Sequence, residues 1–338
     1  MKRAILGTVL AAATLVLAGC VEGEGSKPAT PAAASGAAAP SELRLDYAYY
    51  NPASLVLREQ QWLEKELAAS GTKVTWVLSA GSNKANESLR ANAVDFGSTA
   101  GAAALLARAN ATPIKVVSLY SQPEWAAIVV GKTSQVTSVA QLKGKKVAAT
   151  KGTDPYFFLL QSLKEVGLTS KDIEVVNLQH ADGKAALERG DVDAWAGLDP
   201  IMAQTQLDSG SKLIYRNKGF NSYGTLNARE DFLAKYPATA QIVVDAYEKA
   251  KAWIAKNPDQ AVELLARESK VSTAVARLVL TERTTLDLDP VPGTAQRTVL
   301  QTILPVLVAD GNIKTAEAGQ AALDSLFEPK FAQARAKP

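Results

Sequence analysis

Residues 89–99 read Leu89-Arg90-Ala91-Asn92-Ala93-Val94-Asp95-Phe96-Gly97-Ser98-Thr99. A helical pattern ends in this stretch, turns into a short β-rich run and stops at a loop of Gly, Ser and Thr, which is one step of an α/β winding. The same order returns at Leu187-Glu188-Arg189-Gly190-Asp191-Val192-Asp193, with Leu, Val and Asp at matching spacing. The echo indicates two lobes of similar construction.

Outward from the first copy, Leu43–Tyr49 alternates with period two and ends at Asn51-Pro52, where Asn suits a helix N-cap and Pro the first turn. A helix over Ala53–Ala69, a strand Val74–Leu78, a helix to about Ala91, a strand Val94–Gly97, an Ala-rich helix and a strand Ile114–Leu119 follow. This βαβαβ order predicts a mostly parallel sheet covered by helices. Around the second copy the strands are Ala126–Val130, Lys146–Ala149, Ile173–Leu178, Val192–Ala196 and Lys212–Tyr215, with helices Pro155–Val166, Gly183–Arg189 and Pro200–Leu207 between them. After a strand Gly224–Asn227 the chain reads as amphipathic helices, including Thr273–Thr284, with no further strands. Those helices are expected to pack back on the first lobe. Lobe I is then 42–122 with 222–338 and lobe II is 123–221, joined by two crossings that form a hinge beside a cleft.

The length of 338 residues suits two domains, and 47% hydrophobic with 21% charged residues is an ordinary globular composition. One Cys and one His exclude an intrachain disulfide framework, cysteine clusters and histidine-rich metal sites, so no cofactor is expected. A net charge of +3 does not indicate nucleic acid as a partner. The N-terminus has Lys2 and Arg3, an apolar run from Ala4 to Ala18 and then Gly19-Cys20, which predicts a secretory signal over residues 1–19. Residues 20–41 are rich in Gly, Ala, Pro, Ser and Thr and predict a flexible tether. Removing residues 1–19 takes away two basic residues and no acid, leaving 35 basic against 34 acidic, close to neutral.

Ligands of wound α/β sheets bind beyond the carboxyl ends of the strands, where helix N-termini present N–H groups. The loops at those ends are Tyr49-Tyr50-Asn51, Gly81-Ser82-Asn83, Ser98-Thr99-Ala100-Gly101, Lys151-Gly152-Thr153-Asp154 and Gly197-Leu198-Asp199. Neutral hydroxyl, amide and backbone donors dominate them, and these suit a small oxyanion group. There is no G-x-S-x-G elbow, no H-E-x-x-H and no G-x-G-x-x-G, and His180 reads as a loop residue outside any site.

Leu17-Ala18-Gly19-Cys20 resembles a bacterial lipobox, which implies acylation of Cys20 and attachment to the cell membrane facing the periplasm or exterior. Together with Val94-Asp95-Phe96-Gly97-Ser98-Thr99, Leu142-Lys143-Gly144-Lys145-Lys146-Val147-Ala148, Lys151-Gly152-Thr153 and Gly190–Trp195 followed by Asp199-Pro200, it makes the chain similar to the substrate-binding proteins of ABC importers. Within them it looks most like the aliphatic-sulfonate, taurine and nitrate group, over about residues 42–330. One departure is Gln141, where that family commonly has Asp.

The resemblance implies a type II-like periplasmic-binding-protein fold of hinged α/β lobes, without catalysis. The receptor would be a monomer that delivers a small organic anion, an aliphatic sulfonate first, to a membrane permease. Taurine, nitrate, sulfate esters and aromatic sulfonates or carboxylates are the alternative ligands. The implied head site is Ser82, Asn83, Ser98, Thr99 and Thr153 with Gly81, Ala100 and Gly152. The implied tail site is Tyr49, Tyr50, Trp125, Tyr156 and Trp195, with Asn51, Asp154 and Asp199 nearby. Asp199 and Glu124 would repel an anion and so are expected to orient protein groups. The thiamin pyrimidine-precursor synthases share the architecture, but they resemble a pattern of clustered cysteines that this chain lacks.

Overall fold

The computed structural model describes residues 39–335, so the signal peptide, Cys20 and most of the tether lie outside the described residues. The strands are β1 (Glu42–Tyr47), β2 (Lys73–Leu78), β3 (Phe96–Ala100), β4 (Ile114–Pro123), β5 (Ala126–Val130), β6 (Lys146–Ala149), β7 (Glu174–Asn177), β8 (Ala194–Leu198), β9 (Lys212–Tyr215), β10 (Gly224–Arg229) and β11 (Thr284–Thr285). They form two sheets, ordered β11-β4-β10-β3-β1-β2 and β7-β6-β8-β5-β9. Aside from β11 the two orders correspond strand for strand. Among the described residues no helix is long and apolar enough to cross a membrane.

The sequence echo has a structural cause. Asp95 donates its N–H to Arg44 O (2.8 Å) and accepts Arg44 N–H on Oδ2 (2.9 Å). Asp193 does the same with Lys146, at 2.9 Å in each direction. Each aspartate thus clamps the start of a neighbouring strand, β1 in one lobe and β6 in the other. The helix before each clamp closes through a left-handed residue, Asn92 (φ 57°) in one lobe and Gly190 (φ 79°) in the other, the conformation these two residue types adopt most readily. The strands of the two copies begin at Phe96 and Ala194, two residues later than the β-rich runs suggest, because the clamps occupy the intervening positions.

The expectation of mostly parallel sheets holds for strand direction, with one long strand reversed in each sheet. β1 is parallel to β2 and β3, and β6 to β7 and β8, but β10 and β5 are antiparallel to both of their neighbours. Each is the first strand made after the chain crosses between lobes. A crossing chain enters each sheet at the carboxyl ends of the neighbouring strands, Ala126 beside Leu198 and Gly224 beside Ala100, and so runs opposite to them. At the second entry Gly224 is required by close packing: a Cβ there would stand 2.4 Å from the Tyr120 ring and 2.5 Å from Ser121 Oγ.

Two expectations fail locally. The helix over Ala53–Ala69 is broken at Gln61, whose φ is 53°. The helical reading of Thr273–Thr284 gives way to a π-turn, Leu278–Glu282, and then to β11, which pairs with Pro123 and Gln122 at the end of β4. The C-terminal helices therefore bring a strand to the hinge.

β5 and β8 are buried on both faces. Ala126, Ile128 and Val130 with Ala194, Ala196 and Leu198 enter the main core, and Ala127, Val129 and Trp195 enter a smaller one beneath the His180–Arg189 helix. A strand covered on both faces reads as a continuous apolar run, as Ala-Ala-Ile-Val-Val does.

Candidate functional site

The helices Ser82–Arg90, Asp154–Glu165 and His180–Arg189 follow β2, β6 and β7 and bring their N-termini to the carboxyl ends of the sheets. The first intrahelical bonds of Ser82–Arg90 run from Lys84 and Ala85 to Gly81 O, which leaves the N–H groups of Ser82 and Asn83 without intrahelical acceptors. Here the lobes touch. A Cβ on Gly81 would stand 3.0 Å from His180 Nε2 of lobe II, and one on Gly152 would stand 3.6 Å from Asn83 Cβ of lobe I. The structure therefore brings Gly81, Ser82, Asn83, Gly152 and His180 together. Ser82 Oγ accepts Ala100 N–H at 3.0 Å and keeps its own hydrogen to donate.

Several expected head contacts have their donors engaged elsewhere. Ser98 gives both its N–H and its hydroxyl to Asp46 Oδ1, at 2.8 Å each. Thr99 Oγ1 donates to Ala100 O and accepts from Asn227 Nδ2, inside the sheet. Thr153 Oγ1 donates to Thr150 O at 2.6 Å. Asn51 caps its own helix, accepting from Ser54 N, and donates to Tyr247 OH. Serine and threonine near a strand end are as able to satisfy their own backbone as to meet a ligand.

The aromatic expectations divide. Tyr50 donates to Ser98 O at 2.9 Å and meets Trp125 edge to face with centroids 5.8 Å apart. These two rings with Tyr49, Pro52, Pro123, Asp199 and Arg283 line a cavity of about 10 Å³ at the closed mouth of the cleft. Trp195 is not a cleft residue: its side chain falls on the side of β8 facing the smaller core, against Gly183. Tyr156 also leaves the cleft, donating to Asp310 Oδ2 at 2.6 Å at the end of the Thr294–Ala309 helix.

The two remaining aspartates hold the lobes together. Asp154 accepts from Trp125 Nε1 (2.8 Å), Ser222 N (2.8 Å) and Ser222 Oγ (2.6 Å), so it braces both crossings, and burial pushes its carboxyl up to about 6. Asp199 of lobe II pairs with Arg283, beside β11 of lobe I, through two contacts of 3.2 Å, with both side chains under 5% exposed. Burial raises Asp199 to about 6, and the guanidinium opposes that rise. Glu124 pairs with Arg216 at 2.8 Å.

Three residues escaped the sequence reading. Arg283 comes from the last third of the chain, where the pattern is helical. Asp46 sits in an alternating strand, fully buried, and burial pushes it up to about 7 against the Ser98 donors. His180 is the first residue of its helix, and desolvation holds its imidazole down to about 3. Because that value lies below the unfolded one near 6.5, His180 withdraws stability as the pH falls below 6.5. Asp46, Asp154 and Asp199 act the other way, adding stability as the pH falls from about 7 or 6 toward 3.8. Against a His180→Asn variant, which keeps the aspartates, the wild type should lose about 2 kcal/mol between pH 7 and pH 5 in denaturant titrations. A flat difference would show that the imidazole is not held neutral. Among the described residues no group of three or more His, Cys, Asp or Glu could hold a metal ion.

A family model described as "NMT1/THI5 like" matches residues 67–261. A curated relative, the putative aliphatic sulfonates-binding protein of Escherichia coli (strain K12), is 30% identical over 254 residues, 75% of this chain and 79% of that protein. The alkanesulfonate-binding protein SsuA from Xanthomonas axonopodis pv. citri bound to MOPS superposes with a TM-score of 0.76 at 25% identity, covering 85% of this chain and 99% of that one. The desulfurization enzyme DSZB shares the fold alone, with a TM-score of 0.62 at 16% identity over 86% of this chain and 97% of that one.

Proposed function

The chain belongs to the NMT1/THI5-like family, and from that premise we propose that it is the substrate-binding component of an ABC importer, which captures an aliphatic sulfonate and delivers it to the membrane permease. The observation that carries this reading is 30% identity across three-quarters of the chain to an aliphatic-sulfonate-binding protein. The geometry supports it. Two α/β lobes meet at helix N-termini, where N–H groups, the Ser82 hydroxyl and the backbone around Gly81 and Gly152 suit a group that stays anionic at every physiological pH. Tyr49, Tyr50 and Trp125 offer apolar faces to the tail. Closure over the ligand joins the lobes through Arg283 and Asp199 and forms the surface offered to the permease.

The protein acts as a receptor and catalyses no reaction on its cargo. The relatives that carry the argument are binding proteins, and the single Cys of the chain falls at the lipobox, which supports acylation of Cys20 and tethering outside the cytoplasm. Removing residues 1–19 and screening alkanesulfonates, taurine, sulfate esters, nitrate and carboxylates by thermal shift tests the reading. A cognate sulfonate at 100 times its Kd should stabilise the chain by about 2.7 kcal/mol. If nitrate or a carboxylate stabilises it and no sulfonate does, the ligand assignment is wrong.

A further inference from the structure

His180 begins a helix of lobe II and is 3% exposed. Thr150 Oγ1 lies 2.7 Å from Leu178 O and 3.1 Å from His180 Nδ1. A hydroxyl has one hydrogen, and at 2.7 Å from a carbonyl oxygen that hydrogen must point at the carbonyl. Nδ1 therefore carries the imidazole proton and donates it to Thr150 Oγ1, which leaves Nε2 with a lone pair. Nε2 is buried and finds no hydrogen-bond partner among the described residues, and neither does Asn83 Oδ1 of lobe I. Both atoms converge on one point. A Cβ on Gly81 would stand 2.8 Å from Asn83 Oδ1 and 3.0 Å from His180 Nε2.

Two acceptors facing each other across the lobes, with no hydrogen between them, form an arrangement that native interiors rarely keep empty. The oxygens of a sulfonate cannot satisfy either atom, because they too only accept.

Resting on the sulfonate reading above, we propose that the ligand carries a hydrogen-bond donor, a hydroxyl or an ammonium, within about two carbons of its sulfonate, seated beside the head site between His180 Nε2 of one lobe and Asn83 Oδ1 of the other. The donor then reports closure, since it bonds both lobes only when they meet. A tail ending in a methyl group strands both acceptors, and sites built around such groups reject the analogue lacking the donor.

Three sulfonates of nearly equal size test this by titration calorimetry on the chain without residues 1–19: propane-1-sulfonate, 2-hydroxyethanesulfonate and 2-aminoethanesulfonate. At least one of the two donor-bearing compounds should bind ten- to a hundred-fold tighter than propane-1-sulfonate, a factor of about 10 for each 1.4 kcal/mol. Which of them leads distinguishes ammonium from hydroxyl. The ratio should collapse toward one in His180→Phe and, at a partly exposed position that does not test the core, in Asn83→Leu. If propane-1-sulfonate binds as tightly as both others, His180 and Asn83 bond each other through a rotated Asn83 amide and the proposal is overturned while the sulfonate reading stands. If none of the three binds, that reading fails with it.

Discussion

Arg283→Met should destabilise the chain by about 3–5 kcal/mol near pH 7, because it takes the paired guanidinium from the Asp199 carboxylate buried between the lobes. Ala203 N–H remains to Asp199 at 2.9 Å, but one neutral donor does not replace a guanidinium. The lost guanidinium also holds Gln206 of lobe II. Water can rescue the stranded carboxylate only if the lobes part, so solution scattering should show a larger radius of gyration. The penalty should shrink as the pH falls toward about 6, because without the guanidinium the Asp199 carboxyl, already raised to about 6 by burial, rises further and takes a proton sooner. The double variant Arg283→Met with Asp199→Leu should recover most of the loss, since neither charge is then buried. A loss under 1 kcal/mol with unchanged scattering would show that the pair does not hold the lobes.

Asp154→Ala should cost a similar amount for a different reason. It strands three donors, the Trp125 indole N–H, the Ser222 N–H and the Ser222 hydroxyl, of which each buried one costs about 1–3 kcal/mol. Ser222 Oγ in turn accepts from Ala102 N at 2.9 Å, so the first turn of the Gly101–Ala109 helix loosens as well. Asp154→Asn, which keeps an acceptor for one of the donors, should be the milder variant. The measurement is a denaturant midpoint taken beside a sulfonate affinity. A brace loses stability, whereas a ligand contact would lose affinity at an unchanged midpoint, and that second pattern would return Asp154 to the binding site.

Much of the cleft's location was legible because it depends on local order. Strand, Gly-rich loop and helix follow one another at 78–83, 149–155 and 198–201, so the loops that meet could be named from the chain alone. Which side chains within them are free was not legible. Ser98, Thr99 and Thr153 have the right chemistry and the right loops, yet each gives its hydrogen away, Ser98 to Asp46 across the sheet and the two threonines to carbonyls one and three residues from them. Trp195 was misplaced for a related reason: in a strand buried on both faces, alternation carries no information about which face a ring enters. Arg283 and His180 were missed because their partners lie 84 and 30 residues away.

By itself the sequence determined the α/β class, the two-lobed echo and the family, since these reside in periodicity, turn residues and short motifs that act within about ten residues of chain. It also put the single cysteine of the chain in a stretch that resembles a lipobox. Strand direction at the crossings, the pairing of Asp199 with Arg283, the brace at Asp154 and the unpaired acceptors of His180 and Asn83 were decided by tertiary structure. Each depends on which end of a sheet the returning chain reaches, and on burial that removes water as the competing partner. A hydrogen bond or a charge acquires its strength only after that removal.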